Sequence, residues 1–238
     1  MNAVPAFGQL EKEAEEAKDS SITHRAYMEI RAALISCRFP PGSRLKIAQL
    51  QREIGLSQAA VREALSRLTA EGLATIERNS GFRAAPISAG GYRELADACI
   101  TIEEPLLRSS IAHADYQWEG ELLSTYHVAS RALNEAVDES IGLDSYVEHR
   151  ERFHRQLFSA SDNNWLLWSW SLLYAQQLRY RHTFRDLARF ERGLHAEYRK
   201  FIDVVIERDV ENAVDLWRKN HSKIVEFIEA NLQSLDDM

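Results

Sequence analysis

The sequence has little of what several classes of protein require. Only two of its 238 residues are cysteine, Cys37 and Cys99. Two cysteines without C-x-x-C spacing are too few for a disulfide scaffold and do not indicate a zinc or redox site. No apolar run approaches the roughly 18 residues that a membrane helix needs, and the N-terminus shows no signal-peptide pattern. We therefore expect two buried thiols, no membrane partner and a cytoplasmic location.

Proline and glycine are scarce in the second part of the chain. From about Ser88 onward they are rare, and apolar residues recur at the spacing of a helix. This pattern predicts an all-helical region with helices near 90–113, 118–137, 143–160, 163–184, 187–207 and 209–235.

Positive charge is also scarce, since the formal net charge is −7. An acidic balance argues against a nucleic-acid partner when it is spread evenly, because phosphate binding needs clustered Lys and Arg. Here it is uneven. Residues 21–86 hold ten Lys and Arg against five Asp and Glu, whereas residues 1–20 and 87–238 are acidic. The basic segment is therefore a candidate for DNA contact.

Turn residues divide this basic segment into short elements. A first helix starts near Ile22 and ends near Cys37, before the Pro-Pro-Gly run at 40–42. A second covers about 47–54 and ends at Gly55, and a third follows the N-cap Ser57 and breaks at Gly72. Extended stretches at 73–76 and 82–85 then predict a hairpin, or wing. Residues 1–20 are expected to be a flexible arm or a loose helix.

Two short helices joined by a tight turn form a helix-turn-helix, whose second helix can enter the major groove. Gln58 would then reach a base edge, and Ser57 and Arg62 would contact phosphate or guanine. The alternative is an ordinary helical hairpin with a solvated polar face. The basic balance and the wing favour DNA binding.

These residues carry a resemblance to a known family. Phe39-Pro40-Pro41-Gly42-Ser43-Arg44-Leu45, Val61-Arg62-Glu63-Ala64-Leu65, Glu71-Gly72-Leu73 and Gly81-Phe82 are similar to the GntR-family DNA-binding domain over about residues 22–86. The resemblance implies a homodimer on a palindromic operator, with contacts from the third helix and the wing tip. By position, the DNA-binding residues would be Arg44, Ser57, Gln58, Arg62, Arg67, Arg78 and Asn79. Many relatives carry Arg at the position of Gln58, so its base preference does not transfer.

The second part resembles the FadR-type C-terminal ligand-binding domain, also called FCD. The residues that carry this resemblance include Glu103, Phe153-His154, Asn163, Arg179-Tyr180-Arg181, Glu197-Tyr198-Arg199 and His221. Within the family the chain looks closest to the CsiR-like branch, through residues such as 64–73, 106–111 and 173–181.

That resemblance implies a divalent metal site, but this chain departs from its ligand pattern. The position of the metal-binding Asp holds Arg150, the third ligand position holds Tyr198, and the fourth falls at Asn220 or His221. An Arg cannot bind a metal, and its charge repels one. We therefore expect no metal cofactor; the remaining candidate ligands are His149, His154 and His221.

The family position of an effector-binding Arg is also changed, to Cys99. If the cavity still accepts an acid, Arg179 or Arg181 must bind it, with His154, Tyr198 and His221 as hydrogen-bond donors in place of a metal. Alternatively, His154 is a core histidine and the two arginines pair with surface carboxylates. The cluster Trp165, Trp168 and Trp170 is expected in the core, with a pocket or dimer face as the alternative.

The sequence therefore predicts a mostly α protein, with a winged helix-turn-helix at 21–86 and an all-α helical-bundle ligand-binding and dimerisation domain at 87–238. The expected function is a DNA-binding transcriptional regulator controlled by a small-molecule effector, for which a carboxylate is expected. The alternatives are a metal-binding enzyme tethered to DNA and an architectural DNA-binding protein without a ligand. No G-x-S-x-G, H-E-x-x-H or phosphate-loop motif supports an enzyme.

Overall fold

The computed structural model of the chain describes residues 22–77, 81–184 and 186–236, with side chains to 233. These residues form two compact units that divide between Ile87 and Ser88. Within the described part of the chain there are ten helices and three strands. The expected arm at 1–20 lies outside the described residues.

The first unit is built from three helices and a small sheet. Its helices are α1 (Ile22–Ile35), α2 (Ile47–Ile54) and α3 (Gln58–Ala70), and its strands are β1 (Arg44–Leu45), β2 (Ala74–Glu77) and β3 (Gly81–Ala84). The sheet is antiparallel in the order β1-β3-β2. The winged helix-turn-helix predicted from the sequence is confirmed, and β1 is an additional short strand.

The turn between α2 and α3 follows from two residues. Gly55 closes α2 in the left-handed conformation, with φ 68°, which glycine adopts without strain. Ser57 caps α3, because its side chain accepts a hydrogen bond from the backbone N–H of Ala60. Val61, Leu65 and Leu68 bury one face of α3 in the core of the unit. The opposite, polar face remains on the surface.

The second unit contains seven helices in the described residues. They are α4 (Ala89–His113), α5 (Tyr116–Val137), α6 (Leu143–Phe158), α7 (Asn164–Thr183), α8 (Asp186–Gly193), α9 (His195–Ile206) and α10 (Val210–Asp236). Helix α4 packs against α7 and α10, and α5 packs against α6. The all-helical region predicted from the sequence is thus confirmed.

Three details of the sequence-based prediction were wrong. The block at 187–207 is two helices, because Gly193, a weak helix former, ends α8 before α9 begins. Cys37 is only half-buried, since the chain leaves α1 there with a φ of 54°. Of the tryptophan cluster only Trp170 is in the core; Trp165 is 61% exposed and Trp168 48% exposed.

Candidate functional site

The polar face of α3 is open to solvent in the first unit. Ser57, Gln58 and Arg62 are all exposed. Gln58 and Arg62 lie four residues apart and therefore share one side of the helix. Arg62 has no ion-pair partner among the described residues. A guanidinium with no internal partner, on the surface helix of a helix-turn-helix, is free to bind a phosphate.

The arginines of the sheet differ in their surroundings. Arg44 on β1 is exposed and pairs in register with Arg83 on β3. The Arg83 Nε lies 2.7 Å from an Oε of Glu77, and Arg83 also donates a 3.0 Å hydrogen bond to the carbonyl of Gly42. Arg83 therefore stabilises the wing. Arg78 and Asn79, the expected wing-tip contacts, lie outside the described residues.

Arg67 is held by an aromatic ring of its own domain. Its guanidinium lies over the ring of Tyr27, 4.2 Å from the centroid, in a cation–π contact. The Tyr27 hydroxyl donates a 2.7 Å hydrogen bond to Glu71. Burial, and then this bond, raise the pKa of Tyr27 to about 12, so the phenol stays neutral. Arg67 is exposed but already engaged, in contrast to Arg62.

The second unit contains two cavities that share three lining residues: Arg150 and His154 on α6 and Tyr198 on α9. The larger, of about 410 Å³, is called the aromatic cavity because Tyr126, Tyr146 and Phe153 also line it. The other, of about 370 Å³, is called the polar cavity; its further lining includes Glu103, Arg181, Asn220 and His221. Both volumes include space that is open to solvent.

A buried ion cluster stands between these cavities. The carboxylate of Glu191 accepts a 2.7 Å hydrogen bond from Arg181 and another of 2.7 Å from the Tyr146 hydroxyl. Its distance to the Arg150 Nε is 3.4 Å, and Arg150 also donates to the Tyr174 hydroxyl at 3.0 Å. All five residues are buried.

The cluster keeps its charges because its members compensate each other. Burial raises the pKa of Glu191, but the guanidiniums of Arg181 and Arg150 outweigh that effect and lower it overall. Glu191 is therefore ionised near neutral pH. One carboxylate faces two guanidiniums, so the cluster has a formal excess of one positive charge beside both cavities.

His154 is buried and neutral. Its Nδ1 lies 2.8 Å from the carbonyl oxygen of Arg150, which can only accept, so Nδ1 carries the proton. Burial and then the charge of Arg150 lower its pKa well below the ordinary value. His221 also lines the polar cavity, and its Nε2 lies 3.1 Å from the carbonyl oxygen of Ala96.

These donors do not fit a divalent cation. Arg150 stands beside His154 with a permanent positive charge, and His149 lines neither cavity. In the described part of the chain no group of three or more His, Cys, Asp or Glu side chains is placed to hold a metal ion. Burial raises the pKa of the Cys99 thiol, which disfavours the thiolate form that a metal binds.

The structure brings together four of the five expected effector-binding residues: His154, Arg181, Tyr198 and His221 line the cavities. Arg179 lines neither cavity; it is buried and donates to Gln176 at 3.1 Å. Sequence reasoning missed Arg150 as an anion-binding residue, because it treated this arginine only as a lost metal ligand. No sequence pattern pointed to Glu191. It lies on α8, which the sequence analysis had predicted as one continuous helix with α9.

Comparison with known protein families identifies both units. The sequence profile described as "Bacterial regulatory proteins, gntR family" matches residues 22–83, and that of the FCD domain matches residues 94–231. The chain belongs to the GntR family, with an FCD domain. This GntR-family regulator therefore joins a DNA-binding helix-turn-helix to an FCD domain and acts in transcription regulation.

Two curated relatives share most of the chain. It is 33% identical over 199 residues to the uncharacterized HTH-type transcriptional regulator BphR of Paraburkholderia xenovorans strain LB400. This match covers 83% of this chain and 81% of BphR. It is 28% identical over 199 residues to the HTH-type transcriptional repressor GlaR of Escherichia coli strain K12, covering 82% of this chain and 90% of GlaR. Membership of the CsiR-like branch stays a prediction.

Solved structures show the same fold. Escherichia coli McbR/YncC is similar with a TM-score of 0.77 at 15% identity, covering 89% of this chain and 98% of that one. A putative transcriptional regulator GntR from Rhodococcus sp. RHA1 is similar with a TM-score of 0.71 at 22% identity, covering 87% of this chain and 96% of that one.

In the described part of this GntR-family chain, no helix combines the length and apolar character needed to span a bilayer.

Proposed function

We propose that this GntR-family chain is a regulator whose operator binding is controlled by a small acid in the cavities of its second unit. The observation that carries the proposal is a pair of buried guanidiniums, Arg150 and Arg181, that line the polar cavity. Within the described residues, Glu191 is the one carboxylate at ion-pair distance from either of them. Arginine binds carboxylates through paired hydrogen bonds, and a water-poor cavity strengthens that attraction.

The effector acts through a difference in its affinity for the DNA-bound and the free protein. Helix α3 and the wing contact the operator, with Ser57, Gln58, Arg62 and Arg44 as the described DNA-binding residues and Arg67, Arg78 and Asn79 as further ones. The regulator acts as a homodimer, because two-fold symmetry lets two short helices cover a palindrome. The exposed indoles of Trp165 and Trp168 support an apolar contact of the second unit with another copy.

Operator affinity measured with and without candidate acids tests this proposal. The operator is first isolated by selection from a random DNA pool with the full chain, and its affinity is then measured by fluorescence anisotropy. Small carboxylates are added at millimolar concentration, together with a thermal-shift measurement on the protein alone. We expect at least one acid to stabilise the protein and to change operator affinity, and Arg150→Met to abolish both effects.

The same measurement separates the alternatives. Stabilisation by no acid, with unchanged operator affinity, would favour an architectural DNA-binding protein. Conversion of an acid into product, followed by liquid chromatography, would favour an enzyme. Either result would contradict the proposed effector control.

A further inference from the structure

Glu103 is a buried carboxylate that the ion cluster does not use. It lies on α4, is 3% exposed, and accepts a 3.1 Å hydrogen bond from the indole N–H of Trp217. Among residues 22–77, 81–184 and 186–233, no Lys, Arg or His lies within ion-pair distance of it. Burying a carboxylate without a cation is costly, so a cationic group placed in the polar cavity would stabilise Glu103.

Asn220 lines the same polar cavity from α10. It is 1% exposed, and neither its Nδ2 nor its Oδ1 has a hydrogen-bond partner in the described structure. An amide offers two donors and two acceptor positions. Buried polar groups without partners are rare, and one that faces a cavity can bond to a polar ligand or to water there.

The polar cavity is thus lined both by cationic side chains and by side chains that can accept hydrogen bonds. Arg150 and Arg181 supply guanidiniums, whereas Glu103 supplies a carboxylate and Asn220 an amide. The formal charges of Arg150, Arg181, Glu103 and Glu191 sum to zero. A plain carboxylic acid would add an uncompensated negative charge to this buried set. A molecule that carries one negative and one positive group would leave the sum at zero.

We propose that the effector is an amino acid with an apolar side chain. Its carboxylate binds Arg150 and Arg181, its ammonium group binds Glu103, and Asn220 bonds to both. The side chain extends past Arg150 into the aromatic cavity, beside Tyr126 and Phe153. This inference rests on the proposed function, since it places the effector in the same cavities, and it adds Glu103 and Asn220 as the residues that select the amino group.

The test compares acids that differ at one carbon. The full chain is titrated by isothermal calorimetry with 3-phenylpropionate, 3-phenyllactate and phenylalanine, which carry hydrogen, hydroxyl or ammonium on the α-carbon. A matched aliphatic series uses 4-methylpentanoate, its 2-hydroxy derivative and leucine. We expect the amino acid of at least one series to bind at least about tenfold more tightly than the plain acid, because only it pairs with Glu103.

Three variants assign the preference to its residues. Glu103→Gln keeps the shape of the side chain and removes its charge, so the preference for the amino acid should fall to near equality. Glu94→Gln, on the exposed surface of the same helix, is the control and should leave the preference unchanged. Asn220→Leu should weaken amino-acid binding while keeping the fold, as checked by circular dichroism. If the Glu103 variant does not fold, this second variant tests the proposal in its place.

Each outcome decides between the two proposals. Equal binding of hydroxy acid and amino acid, or a preference that survives in Glu103→Gln, would overturn the amino-acid inference. Plain acids that bind best, and lose binding in Arg150→Met, would overturn it as well but leave the proposed function intact. If none of the six compounds binds or changes operator affinity, the amino-acid inference fails, and the proposed function fails if the wider acid screen is also negative.

Discussion

Removal of the Glu191 carboxylate is the most direct test of the buried ion cluster. This carboxylate contacts Arg181, Arg150 and Tyr146 at 2.7, 3.4 and 2.7 Å. Glu191→Gln keeps the volume of the side chain but leaves two buried guanidiniums without a counter-charge. Breaking a buried ion pair from one side costs about 3–5 kcal/mol, so we expect a loss of that size in the free energy of unfolding.

Urea unfolding followed by tryptophan fluorescence measures this loss in the second unit of the chain, because all five tryptophans, from Trp118 to Trp217, lie there. With an m-value of about 1–3 kcal/mol/M, the midpoint should fall by on the order of 1–5 M. The control is Glu197→Gln, which breaks a partly exposed 2.7 Å pair with Lys223 and should cost about 0–1 kcal/mol. Equal losses in the two variants would refute the reasoning.

The pH dependence of the same measurement has a defined sign. The folded-state pKa of Glu191 lies below its ordinary value of 4.5. Its contribution to stability is therefore complete above about pH 4.5 and is lost as the pH falls through the lowered folded-state pKa. The difference between the wild-type protein and Glu191→Gln should shrink over that acidic range. A difference that stays constant down to the acid unfolding of the protein would contradict an ionised Glu191.

Four further predictions concern DNA, the cavity, metal and assembly. Arg62→Ala should weaken operator and non-specific DNA equally and reduce the salt slope by about one, as measured by anisotropy across a salt series; an unchanged slope would exclude a phosphate contact. Asn220→Leu should raise the free energy of unfolding by about 1–3 kcal/mol, because it removes a buried amide that has no partner among the described residues, and a loss of stability in urea would show that this amide has internal partners. The response to acids should survive EDTA dialysis, whereas one tightly held metal per chain in elemental analysis, removed together with that response, would restore a metal site around His154 and His221. Light scattering should return a dimer for the full chain, and Trp168→Glu should shift it towards the monomer; a monomer in the wild-type protein would contradict the proposed assembly.

The DNA-binding unit was predictable because its signals are local. Gly55, Ser57 and Gly72 end or start helices through their own backbone and side-chain chemistry, and the apolar spacing of α3 determines which face is buried. The engagement of Arg67 was not predictable in this way. Its partner Tyr27 lies forty residues earlier in the chain, and only the packing of α1 beside α3 brings the ring under the guanidinium.

The cavity residues show the same limit more clearly. Sequence comparison recognised Arg150 as a departure from a metal-binding pattern, but a substitution alone does not tell whether the new side chain is solvated or buried. Arg179 and Arg181 are two residues apart on one helix, so spacing could not decide which of them lines a cavity. The fold decides it. Arg181 donates a hydrogen bond to Glu191 on α8, whereas Arg179 donates one to Gln176 on its own helix.

The sequence by itself determined the two-part architecture, the helix-turn-helix with its wing and the family, since periodicity, capping residues and charge distribution are properties of short segments. Only the tertiary structure decided which charges are compensated. Glu103, Arg150, Arg181 and Glu191 stand on four different helices. The energy of a buried charge depends on the distance to its counter-charge and on the exclusion of water, and both arise only when those helices pack.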